Sequence, residues 1–264
     1  MKKKIFSVML AIALALCLAV PQQAAAVSVD LELLLLCDVS GSVDATDFDL
    51  IRGGYEAAFR DASIINSITT AGTYGSIAVS LVYWSDSQSL ALDWMYINSE
   101  ASSYAFADAI AGTTRPFFGG TQMAAAMNYG YPLFTNAFEG TRQVIDVTGD
   151  GADSISYAQI APNVQDARDA ALASGVDTIN ALFVNDRDYF GDDPEDSIQA
   201  TPYGEDNVIG GTNPFVWVVA SFDDFGLAVK EKIGEEVNPS VPEPLTMVLL
   251  MTGIVGLAGF RRKC

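Results

Sequence analysis

Residues 33–44 read "LLLLCDVSGSVD". The stretch opens with four leucines and a cysteine, apolar at every position instead of alternating. A strand that is apolar on both faces belongs in the middle of a sheet covered by helices on each side. The run then stops at Asp38, and Ser40 and Ser42 follow at alternate positions with Gly41 between them. Aspartate and serine are short, polar and suited to turns and helix caps. Gly41 admits backbone angles that other residues resist. The stretch therefore predicts a buried central strand whose carboxyl end carries a small cluster of oxygen atoms.

Working outward, the periodicity alternates between strand and helix. The reading places a strand over 29–38 and a helix from a cap at Asp44 to Asp61, continuing loosely through residue 72. Strands over 75–85 and 89–97 are close enough to pair as a hairpin. A helix follows over 102–112, then a loop over 113–120 and a helix over 121–134 that opens at Thr121. A strand over 142–151 ends in a Gly-Asp-Gly turn. Beyond it come a helix over 156–175 with a break at Pro162, a strand over 177–184, a long acidic loop over 185–214, a strand over 214–221 and a final helix over 221–236. Strands that alternate with helices predict an α/β fold, with a doubly wound, mostly parallel central sheet flanked by helices. In such sheets ligands bind beyond the carboxyl ends of the strands, where the strand order reverses.

Three short segments fall on that edge. They are Asp38-x-Ser40-x-Ser42, the "GGT" that ends at Thr121, and the "VTGDG" that holds Asp150. Together they offer two carboxylates and three hydroxyls. An all-oxygen set suits a hard divalent cation, Mg²⁺ first, with Mn²⁺ or Ca²⁺ as alternatives. The competing account of the first segment is turn and cap chemistry alone.

The order of these segments resembles the metal-ion-dependent adhesion site of von Willebrand factor A domains, a Rossmann-like family that includes integrin domains. The resemblance spans about residues 28–234. It implies that Asp38, Ser40, Ser42, Thr121 and Asp150 hold the metal, the hydroxyls directly and the aspartates directly or through water. It also implies an open coordination position for a carboxylate from a protein or polysaccharide partner. This chain departs from the family at the last segment, where Gly149 separates Thr148 from Asp150, which leaves Asp146 as a rival ligand. The surrounding sequence also resembles a bacterial subfamily of unknown function.

The ends of the chain read as addresses. A basic start, Lys2-Lys3-Lys4, an apolar run over 5–20 and an Ala-x-Ala site predict a secretory signal peptide over 1–26, removed by signal peptidase. Residues 235–240 read as a linker. Residues 241–264 contain Val241-Pro242-Glu243-Pro244, an apolar segment over 245–260 and Arg261-Arg262-Lys263. That order resembles the PEP-CTERM sorting signal of Gram-negative bacteria. It implies handling by exosortase, a transient inner-membrane intermediate, and delivery to the cell surface or extracellular matrix. A plain membrane anchor is the alternative.

Charge and composition narrow the function classes. The 264 residues carry 14 basic and 33 acidic side chains and no histidine. Residues 27–244 hold only eight of the basic ones and all 33 acidic ones, a net charge of −25. Such a surface repels nucleic acid. The lack of histidine excludes His-dependent triads and His metal sites. Of three cysteines only Cys37 lies between the two end segments, so that region can form no internal disulfide. Two acidic stretches fail as EF-hand loops, with Ser197 and Tyr157 where the closing glutamate belongs. No GxSxG is present, and an aspartyl phosphotransferase would need an acid where Ser40 stands. The expectation is a non-enzymatic, exported, metal-dependent binding protein. The alternatives are a metal-dependent hydrolase using Asp146 or Asp153 as base, and a structural matrix component with a stabilising metal.

Overall fold

A computed structural model describes residues 25–153, 163–185 and 200–238. Strand β2 (Leu31–Asp38) is buried along its whole length. Its parallel neighbours are β3 (Ile77–Trp84) and β6 (Gln143–Gly149). The sheet runs β4-β3-β2-β6-β7, with β7 (Thr178–Val184) paired in parallel to β9 (Val216–Val219). Among the described residues, only β4 (Gln88–Ile97), in its hairpin with β3, and the two-residue β8 (Gly210–Gly211) run antiparallel. The strand order reverses between β2 and β6, so the carboxyl ends of those two strands form the switch point of the fold.

The leucine run supplies both halves of the core. Leu31, Leu33, Leu35 and Cys37 face one layer with Phe48, Tyr55, Phe59, Phe106 and Phe225. Leu34 and Leu36 face the other, with Met123, Met127, Val147 and Ala167. The first layer contains helices α1 (Ala45–Arg60), α2 (Ala62–Thr70), α3 (Glu100–Ala111) and α7 (Phe225–Val237), with α1 against both α3 and α7. The second contains α4 (Met123–Gly130) and α5 (Val164–Ala173). A strand with period-2 side-chain alternation can satisfy both layers only if every position is apolar.

Helix α1 starts where the sequence places it. The Asp44 carboxylate accepts from the backbone N–H of Thr46 and Asp47, and the Asp47 carboxylate accepts from the N–H of Asp44, a capping box.

Several expectations change. The loose continuation beyond Asp61 is a second helix, because the Asp61 backbone is extended and its side chain caps α2. Thr121 precedes α4 instead of opening it, and that helix stops at Gly130, giving way to a 3-10 turn over Tyr131–Phe134 with Pro132 near its start. The long acidic loop is not loop throughout. Its described part holds a helical turn α6 (Ala200–Tyr203), a wider turn over Gly204–Val208 and β8, anchored by buried Tyr203 and Val208. Helix α7 runs through Val237, so residues 235–237 are helix and not linker.

A small parallel pair, β1 (Val27–Val29) with β5 (Phe138–Gly140), was not expected. Buried Glu32 ties it to the main sheet, accepting from Asn136 Nδ2 at 2.7 Å, Gly140 N at 3.0 Å and Gln143 Nε2 at 3.1 Å. The signal peptide through residue 24, the break at Pro162, the stretch Asp186–Ser197 and the sorting tail lie outside the described residues. Among the described residues, no helix is long and apolar enough to cross a membrane.

Candidate metal centre

Strand β2 ends at Asp38, which is 1% exposed. Its Oδ1 accepts from the Ser40 N–H at 2.7 Å, a tight turn that swings the chain over the sheet edge. Val39 N–H donates to the Trp84 carbonyl at 2.8 Å, and Gly41 N–H to the Gly119 carbonyl at 2.8 Å. The first bond ties the turn to β3, and the second brings the loop before Thr121 against it. Arg115, from that same loop, donates to the Val39 carbonyl at 2.7 Å through one nitrogen and at 3.2 Å through Nε, and it also bonds the Ser40 carbonyl. A planar guanidinium gripping consecutive carbonyls fixes both loops at once. Nothing in the residue pattern singled out Arg115, because its partners are backbone atoms.

Four of the five expected side chains touch in series, and Asp38 lies beside them, accepting from the Ser40 backbone. Thr121 Oγ1 lies 3.4 Å from Ser40 Oγ, Ser40 Oγ lies 3.1 Å from Ser42 Oγ, and Ser42 Oγ donates to Asp150 Oδ1 at 2.7 Å. Asp38 and Asp150 are both 1% exposed and close enough for the Asp150 charge to act on Asp38. A Cβ at Gly149 would lie 3.2 Å from Asp38 Oδ2, a tight contact, and 3.6 Å from the Trp84 ring. The inserted glycine of "TGDG" therefore leaves room beside the Asp38 carboxylate.

The rival Asp146 does not join this cluster. It is buried and ion-paired to Lys232 Nζ at 2.5 Å. Asp153 is nearby in sequence but committed elsewhere, its Oδ2 accepting from Ala124 N–H at the start of α4 at 3.0 Å. Phe117 packs against the core, whereas Phe118 is exposed beside the Arg115 guanidinium. Cys37 is a free, buried thiol whose pKa is pushed up by burial, as befits a small core residue.

The electrostatics of the cluster are dominated by two neighbouring buried carboxylates. Burial, and then the neighbouring Asp150 carboxylate, push the Asp38 pKa up to about 8, against the bonds from Ser40 and from the Asp150 N–H. Asp38 Oδ2 is buried and accepts no well-formed hydrogen bond among the described residues, the Asp150 N–H assisting the carboxylate only in part. A buried carboxylate oxygen in that state is costly unless a positive charge completes it. Two carboxylates and three hydroxyls in mutual contact fit a hard divalent ion. Among the described residues no group of three or more His, Cys, Asp or Glu could hold a metal, and an ion here would need the hydroxyls as well as the two carboxylates.

A pH dependence follows. The folded-state pKa of Asp38 lies above its ordinary value of 3.8. Its contribution to the stability of the metal-free domain is therefore fully present below about pH 4 and lost as pH rises through about 8. Metal binding requires the carboxylate, so it should release a proton below pH 8 and strengthen as pH rises towards it. Calorimetric titration in buffers of different ionisation enthalpy at pH 6.5 and 9 reads the proton count directly. Equal proton release at both values would sink this assignment.

Solved structures share this fold at 14–17% sequence identity, among them one described as von Willebrand factor type A from Catenulispora acidiphila, with TM-score 0.52. Proximal thread matrix protein 1 of the mussel byssus matches at 17% identity and TM-score 0.54, over 80% of this chain and 46% of its own. A second structure of that protein is described as having a zinc-occupied MIDAS motif, with TM-score 0.54. The pilus adhesin SpaC of Lactobacillus rhamnosus GG matches at 14% identity and TM-score 0.55, over 82% of this chain and 30% of its own. The chain thus spans less than half the length of these structures. Residues 28–241 match the family described as "Protein of unknown function (DUF1194)", and the chain belongs to that family. No curated protein matches the sequence.

Proposed function

We propose that this protein is an exported, surface- or matrix-associated binding protein. Asp38, Ser40, Ser42, Thr121 and Asp150 would hold a divalent metal, Mg²⁺ in the first place, and the metal would take a carboxylate from a protein or polysaccharide partner. The observation that carries the reading is the series of contacts Thr121–Ser40–Ser42–Asp150 beside Asp38, whose buried Oδ2 lacks a well-formed hydrogen bond among the described residues. A bound divalent ion supplies positive charge and an open coordination position. The protein's own residues supply the rest: two buried carboxylates set the charge of the cradle, and the Arg115 clamp holds the hydroxyl loops together. Matrix and adhesin proteins among the similar folds support surface association. The basic amino terminus and the Pro-Glu-Pro tail support export through the inner membrane, with signal peptidase and exosortase as processing partners. Binding is favoured over hydrolysis because Asp146 and Asp153, the available bases, are held by Lys232 and by the start of α4.

The test uses metal-stripped protein and carboxylate-bearing probes, immobilised polyglutamate and alginate, with and without Mg²⁺, Mn²⁺ or Ca²⁺. Retention that needs metal and is reversed by chelator is the expected result. The acidic chain repels such polyanions at long range, so retention should rise as salt is increased from low to physiological strength. Metal binding that raises the melting temperature without any carboxylate retention would replace this reading with a purely structural metal.

A further inference from the structure

Between α7 and the sheet lies a second polar cluster that the metal site does not use. Lys232 on α7 is 0% exposed. Its Nζ sits 2.5 Å from Asp146 Oδ1 on β6 and 2.7 Å from Glu236 Oε1, one turn further along α7. Asn180 Nδ2 donates to that same Glu236 oxygen at 2.9 Å, and the Phe215 ring lies 5.6 Å from Nζ. Asp146 is 0% exposed and Glu236 2%.

As an ionic cluster this arrangement is unbalanced. Two carboxylates face one ammonium. Asp146 Oδ1 touches it as an ion pair without a well-formed hydrogen bond, and Asp146 Oδ2 and Glu236 Oε2 are buried with no hydrogen-bond partner among the described residues. Burying charge without full pairing is costly. The same geometry is what amide formation needs: an amine in contact with a carboxyl group, a second carboxylate touching the amine, and no bulk water to compete.

We propose that Lys232 and Asp146 form an intramolecular amide cross-link between α7 and β6, with Glu236 as the catalytic carboxylate. One proton passes from Nζ to Asp146 Oδ1 across their contact, giving a neutral amine and a carboxylic acid. Nζ attacks Cγ. Glu236 takes a second proton from the nitrogen and delivers it to the same oxygen, which leaves as water. The Nζ–Cγ bond forms and the Cγ–Oδ1 bond breaks, with no oxidant or co-reactant. Oδ2 remains as a neutral amide oxygen, far cheaper to bury than a carboxylate. Burial and Glu236 raise the Asp146 pKa to about 7, which favours the acid form. Burial pulls the Lys232 pKa down, but the Asp146 and Glu236 carboxylates together outweigh it and hold the ammonium up, so the amine is the minor form and the reaction is a slow, single maturation event.

The test is peptide mapping of the full-length protein after tryptic digestion. The expected result is a branched peptide joining the segment that begins at Gln143 to the segment that holds Lys232, lighter than the two together by one water. Cleavage after Lys232 should be lost. The readout is made on the unaltered chain, so it does not depend on any variant folding. Recovery of Lys232 and Asp146 only in linear peptides overturns the proposal. A branch at Asn180 with loss of ammonia would also overturn the assignment to Asp146. In Glu236→Gln, link formation should slow about a hundredfold or more, the scale of general acid–base assistance. Formation at the unaltered rate would remove Glu236 from the chemistry.

Discussion

Replacing Asp38 by Asn should abolish metal binding and at the same time stabilise the metal-free fold. The two effects have one cause. Asp38 lies buried beside Asp150, and its ionised form is disfavoured by both burial and that neighbour. Asn is nearly isosteric, keeps an oxygen for the Ser40 N–H, and removes the charge. At pH 9, where the wild-type carboxyl is ionised, the variant should unfold about 1–3 kcal/mol later than the metal-free parent, the scale for replacing an unfavourable buried charge. Below pH 6 the difference should shrink, because the wild-type group is then protonated. The loss of affinity should exceed a hundredfold, since even groups that merely support a ligand are worth 10–100-fold, or roughly 1–3 kcal/mol. With metal at a hundred times the parent's dissociation constant, the parent gains about 2.7 kcal/mol and the variant at most about 0.4, so the variant's advantage is cancelled or reversed. Thermal melts of both proteins at two pH values, with and without metal, give all four quantities. A variant that still binds one metal ion with parental affinity would show that the metal lies elsewhere.

The site was legible because its residues are close together in sequence at the points that matter. Asp38, Ser40 and Ser42 fall within one turn, and the leucines before them betray a strand covered on both faces. Asp44 announced its helix for the same reason, since a capping box is a four-residue device. Thr121 and Asp150 are far away in the chain, yet each sits at a strand or loop end that the α/β alternation already placed on one edge. Arg115 escaped because it binds carbonyl oxygens, which every residue has. The β1–β5 pair escaped because three-residue strands carry too little periodicity, and its anchor Glu32 reads locally as a polar intruder in an apolar strand. Residues 200–211 read as loop because their order comes from contacts with β7, β9 and α5, not from local pattern. Asp146 was weighed as a metal ligand because it too lies near the end of a strand. What decides its role is Lys232, on an element whose sequence gives no sign that its lysine points inward.

Lys232→Met should therefore be among the most damaging single substitutions in the domain. The methionine fills the space of the lysine stem, but it leaves Asp146 and Glu236 buried together without the one cation that bridges them. Breaking a buried pair in this way costs about 3–5 kcal/mol. The loss adds to whatever a covalent link contributes. Asn180 still donates to Glu236, and Arg142 still donates to the Glu236 carbonyl, so the end of α7 keeps two anchors while β6 keeps an unpaired carboxylate. The double variant Lys232→Met/Asp146→Leu removes that carboxylate and should recover at least half of the loss, because an apolar replacement of both members of a buried pair is often close to neutral. Denaturant unfolding of the parent, the single and the double variant measures this. A single variant within about 0.5 kcal/mol of the parent, the scale of surface substitutions, would contradict the buried cluster. Recovery in the double variant identifies the cost as stranded charge and separates it from loss of packing, which both variants share.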